Sequence, residues 1–190
     1  MVTGHFALAA GVKSRDPLVP LWALMLATQL MDVIFVPLYL LGIETIVPVG
    51  RGGYGGGIIH ANFTHSLVGA LALAAVAWLV GSRFWTARGG LVLGAVTFSH
   101  WLLDLLVHRA DLPLLPGNMG NLPTLGLSIW QYPLLSAAIE LGMIVIGTSL
   151  YGVSLWKAAG KGKPFATAAA ISLMGIFLTA CLAADLFGIG

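Results

Sequence analysis

Apolar residues run through this chain in long stretches, and the polar positions gather in the short segments between them. Run length is therefore the informative signal, because a helix rising about 1.5 Å per residue needs about 20 apolar residues to cross a hydrocarbon core of about 30 Å. Residues 3–12 predict a first helix of about 15 Å, half a membrane, with Thr3 as N-cap and His5 in its first turn. Lys13 to Pro17 then turn the chain. A second helix is expected over 20–41 with Asp32 in its middle, and the glycine-rich stretch 42–62 as a flexible loop. A third helix follows Ser66 to about Val80, and a fourth covers 89–108. Pro113, Pro116 and Pro123 keep 109–126 irregular, and two more helices span about 127–155 and 165–187. The expected fold is all-α, a polytopic membrane helical bundle of five transmembrane helices plus a short N-terminal half-helix. One integral-membrane domain covers 1–190, without an internal repeat.

Composition turns the pattern into a class. Of 190 residues, 58% are hydrophobic and 8% charged, too few charges to coat a soluble domain of this size. A net charge of +2, spread through the loops, gives no case for a nucleic-acid partner; membrane lipids are the expected surroundings. One cysteine, Cys181, allows neither a disulfide framework nor a thiolate metal site. The apolar residues 1–11 follow no positive residue and end in no convincing cleavage site, so they are not read as a removable signal peptide. Lys13, Arg15, Arg83, Arg88, Lys157, Lys161 and Lys163 fall at one face of the membrane, with Arg51 and Arg109 at the other. That asymmetry puts the first group in the cytoplasm and the C-terminus outside.

The chemistry centres on SHWLLDLLVH, Ser99 to His108. His100, Asp104 and His108 stand four residues apart and stack on one stripe of the fourth helix. Imidazole nitrogen and carboxylate oxygen together suit a divalent ion such as zinc, whereas a buried His–Asp–His hydrogen-bond ladder would use the same residues structurally. Depth favours the metal. His5 and Asp32 come to similar levels on an antiparallel pair, about 12 and 18 Å from their shared turn, and His60 and His65 sit at the outer end of the third helix. All five histidines and two carboxylates thus converge on one layer, in which each unpaired charge costs at least about 2.5–3.5 kcal/mol. The candidate ligands are His5, Asp32, His60, His65, His100, Asp104 and His108, more than one zinc ion needs, and Asp104 can bridge two.

These residues also carry a resemblance. Gly4-His5-Phe6, Leu30-Met31-Asp32, His60-Ala-Asn-Phe-Thr-His65-Ser66-Leu67, and Ser99-His100 with Asp104 ahead of Pro113-Leu114-Leu115-Pro116 resemble the bacterial membrane-bound metal-dependent hydrolase family. That family includes the SOS-regulated inner-membrane hydrolases; its hallmarks are an N-terminal GH, an LPD-I-D helix end, HRGFTHS and SHxxxD. The resemblance covers about 3–116 and leaves about 127–187 as additional helices. It is in turn distantly similar to zinc-dependent phospholipase C. By that analogy Asp32, His65, His100 and Asp104 would hold one zinc-like ion, and His5 with Asp104 a second. Two positions depart from the pattern: the second acid is Ile34, and the Arg of HRGFTHS is Ala61. His108 and Glu140 are candidates to compensate.

The expectation is therefore a bacterial inner-membrane hydrolase of phosphoesters, possible substrates including lipid head groups, with Asp32 and Asp104 as catalytic carboxylates and an outward-facing pocket. The competing expectation is a non-catalytic subunit or transporter in which the same cluster binds an ion or relays protons.

Overall fold

The computed structural model describes residues 1–49, 53–159 and 163–188. Arg51 and Lys161 of the charge asymmetry lie outside the described residues. The helices are α1 (Val2–Lys13), α2 (Leu21–Thr28), α3 (Leu30–Leu40), α4 (Leu67–Phe84), α5 (Ala87–Val107), α6 (Pro133–Ala159) and α7 (Pro164–Phe187). Helices α4 to α7 are each long and apolar enough to cross a membrane, and α2 with α3 makes a fifth span if the bent pair is counted as one. Leu79, Leu91, Leu134, Ile146, Phe165 and Ile176 stand exposed on their outer faces, as is expected where hydrocarbon replaces water around a bundle.

The short α1 is the core of the bundle. Its Ala9 packs with Val19, Leu24, Ala27, Leu93 and Val96 on one side, while Ala7 and Ala10 pack with Ile144, Met174 and Leu178 on the other. Small residues permit this closeness, because van der Waals contact between backbones holds helices together where no hydrophobic effect operates. A Cβ on Gly147 of α6 would collide with the Ala7 carbonyl, and one on Gly94 of α5 would lie 2.9 Å from the Ala74 carbonyl oxygen of α4.

Four expectations need correction. The helix expected over 20–41 is broken at Gln29, and its halves meet at 50°. The expected flexible loop 42–62 contains an antiparallel hairpin, β1 (Thr45–Pro48) paired with β2 (Gly57–His60), a small addition to a fold that remains mostly helical and fits the all-α class. Cross-strand β-branched pairs, Ile46 with Ile59 and Val47 with Ile58, outweigh the glycines, which supply turn conformations instead: Gly53 and Gly55 take φ of +89° and +66°. The helix expected from 127 begins at Pro133, after a short 3-10 turn at Ile129–Gln131, because proline's fixed φ suits the first helical position. Finally, α1 starts one residue before Thr3, whose amide and hydroxyl bond Asp185 of α7 instead of capping.

Gly147→Leu should wedge α1 from α6 and cost about 1–3 kcal/mol, the range for overpacking. Gly142→Ala, with nothing within 4 Å of the added carbon, should leave the thermal midpoint in detergent unchanged or raised.

Candidate metal centre

Four segments bring six candidate ligands together. The α5 stripe supplies His100 and Asp104, and His108 follows as its C-cap, with φ −60° and ψ 151°. Asp32 comes from the first turn of α3, just beyond the break, and His5 from the first turn of α1. His65 directly precedes α4, where Ser66 caps the helix by accepting from the Gly69 amide. His100 Nε2 lies 3.0 Å from Asp104 Oδ2 and 3.7 Å from Asp32 Oδ1. His65 Nε2 lies 3.2 Å from His100 Nε2, 3.4 Å from Asp32 Oδ1 and 3.6 Å from Asp104 Oδ2. His108 Nε2 is 3.6 Å from Asp104 Oδ2, while His5 Nε2 faces the other oxygen, Oδ1, at 3.2 Å.

Bond partners on the far side of each ring fix its tautomer. His100 Nδ1 sits 2.5 Å from the Thr28 carbonyl, which can only accept, so Nδ1 carries the proton. That carbonyl is free because the break at Gln29 ends α2. His108 Nδ1 donates to Asp111 Oδ1 at 3.0 Å. Thr64 gives its hydroxyl proton to Glu44 Oε2 at 2.9 Å and so accepts from His65 Nδ1 at 2.8 Å. In the neutral rings, Nε2 of His65, His100 and His108 therefore presents a lone pair to the two carboxylates.

With neutral rings this is a set of acceptors facing acceptors, and a cation between them could satisfy all of them. The five distances among His65, His100, Asp32 Oδ1 and Asp104 Oδ2 run from 3.0 to 3.7 Å. Tetrahedral ligands bound at about 2.0–2.1 Å stand about 3.3 Å apart, so His65, His100 and Asp104 fit three corners around an ion of zinc's size, with Asp32 Oδ1 beside the fourth. Anchored Nδ1 atoms are the usual support of metal-binding histidines. Both His5–His100–Asp104 and Asp32–His65–His100 can hold a metal ion. His5 differs from the others: its ring stacks on His100 at 3.9 Å and its Nδ1 is buried without a partner among the described residues.

A cavity of about 330 Å³ adjoins the cluster, lined by His5, Asp32, His65, Asp104, His108 and Trp130 among others. Five of the six ligands are buried; Asp32 is the exception, with 40% of its side chain exposed. His60 does not join them. It is exposed at the end of β2, opposite Thr45, because strand alternation turns Ile59 toward the cavity and the next residue away. Convergence of all five histidines is thereby corrected to four.

Sequence reasoning missed the residues behind the ligands. Buried Glu44 accepts from the Phe63 and Thr64 amides as well as the Thr64 hydroxyl. Asp111 accepts from Ile59 N and His108 Nδ1. Their only sequence signal is an acid close to the motif histidines in a chain with few acids. Glu140 lies outside the cluster and accepts from the Gly4 amide at 3.2 Å and the Tyr54 hydroxyl at 2.8 Å. Burial and the Glu140 charge push the Tyr54 phenol above its usual range, which keeps it a donor. Arg109 donates to the Gly55 carbonyl, and Arg51 lies outside the described residues.

No family model, curated protein or solved structure matches the chain. In purified protein, His65→Ala and His100→Ala should each lose bound zinc, whereas His60→Ala should bind it with wild-type stoichiometry, measured by elemental analysis.

Proposed function

We propose that this chain is an integral-membrane metal-dependent hydrolase that cleaves phosphoester bonds, with lipid head groups as its substrates and one or two zinc-like ions as its cofactor. The observation carrying this reading is the convergence of three tautomer-fixed Nε2 lone pairs and two carboxylates beside an open cavity. A bound metal would polarise the scissile oxygen and lower the pKa of water towards about 7. His65, His100 and Asp104 would hold it. Asp32, the partly exposed carboxylate of the cluster, borders the cavity and would accept a proton from the attacking water, then return it to the leaving alcohol.

The positive-inside bias supports a bacterial inner membrane with the C-terminus outside and the cavity towards the outer leaflet, near the depth of lipid phosphates. An exposed carboxylate in an open cavity supports catalysis over a closed structural site. The competing reading, a non-catalytic subunit or transporter, predicts bound ion without turnover.

Purified protein should contain one or two equivalents of zinc or a similar ion and hydrolyse a phosphodiester or phospholipid, and chelation should abolish that activity. Asp32→Asn should keep the metal and lower kcat by about 10²- to 10⁴-fold, the range for lost acid–base catalysis. Full turnover in Asp104→Asn would overturn the catalytic assignment.

A further inference from the structure

Three histidines of the cluster are tied to one element that contributes no ligand, the β1–β2 hairpin. Each tie runs through a carboxylate. Glu44, at the foot of β1, holds the Phe63–Thr64 turn and, through the Thr64 hydroxyl, His65 Nδ1. Asp111 holds the Ile59 amide of β2 with one oxygen and His108 Nδ1 with the other. Glu140 holds the Tyr54 hydroxyl from the hairpin's connection with Oε1, and with Oε2 the amide of Gly4, the residue before His5. Arg109, next to His108, adds a bond of 3.0 Å to the Gly55 carbonyl. His100 is anchored separately, on the Thr28 carbonyl.

A bare hydrogen-bonded hairpin of four-residue strands has little stability of its own, so these ties determine where it sits. Conversely, the ties aim the His65 and His108 rings and fix the backbone just before His5. Resting on the metal-site reading above, we propose that seating of the hairpin and binding of the metal are coupled, with Glu44, Asp111, Glu140 and Tyr54 as positioning residues that touch no ion. Coupling of this kind is reciprocal: whatever the hairpin contributes to metal affinity, the metal returns as hairpin order. Ile59 also lines the cavity, so the same hairpin borders the space that a substrate would enter.

Two measurements on the full chain in detergent, with zinc as the probe, test this. In hydrogen exchange, saturating zinc should slow the amides of Thr45–Pro48 and Gly57–His60 by about tenfold while leaving the middle of α7 unchanged, and His65→Ala should abolish that protection. In competition titrations, Asp111→Asn should weaken zinc binding about 10- to 100-fold, the range for lost outer support of a ligand. Tyr54→Phe is the cleaner variant because it removes only a hydroxyl remote from every ligand; it should weaken zinc binding several-fold at unchanged stoichiometry. Zinc that binds with no change in hairpin exchange, or with wild-type affinity in Tyr54→Phe, overturns the coupling and leaves the metal site standing. Protein that binds no zinc at all overturns the metal reading and the coupling together.

Discussion

Acceptors packed against acceptors inside an apolar bundle are the constraint on which this structure depends. Two carboxylates and the Nε2 atoms of three anchored histidines meet within 3.0 to 3.7 Å. In surroundings of low dielectric such a set is tolerable only with positive charge at its centre. The irregular backbone of the fold follows from the need to deliver these groups. Helix α1 ends short of a full span, α2 and α3 part at Gln29, and a non-helical turn precedes α4. Non-helical backbone at membrane depth is tolerated where protein buries it or a cavity borders it. All three irregularities border this cavity, through His5, Gln29 with Asp32, and His65.

Around the inner ring lies an outer one of opposite polarity. The Thr28 carbonyl, the Thr64 hydroxyl and the Asp111 carboxylate each take an imidazole proton and so leave a lone pair facing inward. The break at Gln29 illustrates the trade. Ending a helix in mid-span forgoes backbone bonds, but the carbonyl it releases selects the His100 tautomer, and the new helix direction carries Asp32 to the same centre. A continuous helix would have provided neither.

The parts of this arrangement that sequence reveals are those set by local periodicity. His100, Asp104 and His108 share a stripe whatever the bundle does, and run length alone yields the long helices α4 to α7. Asp32, His5 and His65 were legible through depth. The hairpin was not, because seven glycines between Gly42 and Gly57 mask two short β-branched strands. The bend at Gln29 had no proline or glycine to announce it; tertiary demand from His100 holds it. Asp111 reaches His108 from three residues on, but its bond to Ile59 and those of Glu44 cross 52 and 20 residues of sequence, and no spacing rule reaches that far. His60 failed for the opposite reason: a motif position was read as a ligand when strand alternation decides its direction.

Exposure within the ligand set bears on what the centre does. Were all of its acceptors sealed, four protein ligands would close the coordination of a zinc-like ion, and the site would be structural. His65, His100 and Asp104 are buried, and the two histidines are held from behind, whereas Asp32 is 40% exposed at the edge of the cavity. With an ion bound, three such ligands and one accessible carboxylate would make an open centre, and Asp32 would be available to a proton. Asp104 adds a further division. Its Oδ2 serves the three anchored histidines, while Oδ1 turns to His5, whose own Nδ1 has no partner among the described residues. Under the hydrolase reading a second ion would bind on this side and more weakly, because His5 is the one ring of the four whose far nitrogen has no partner among the described residues.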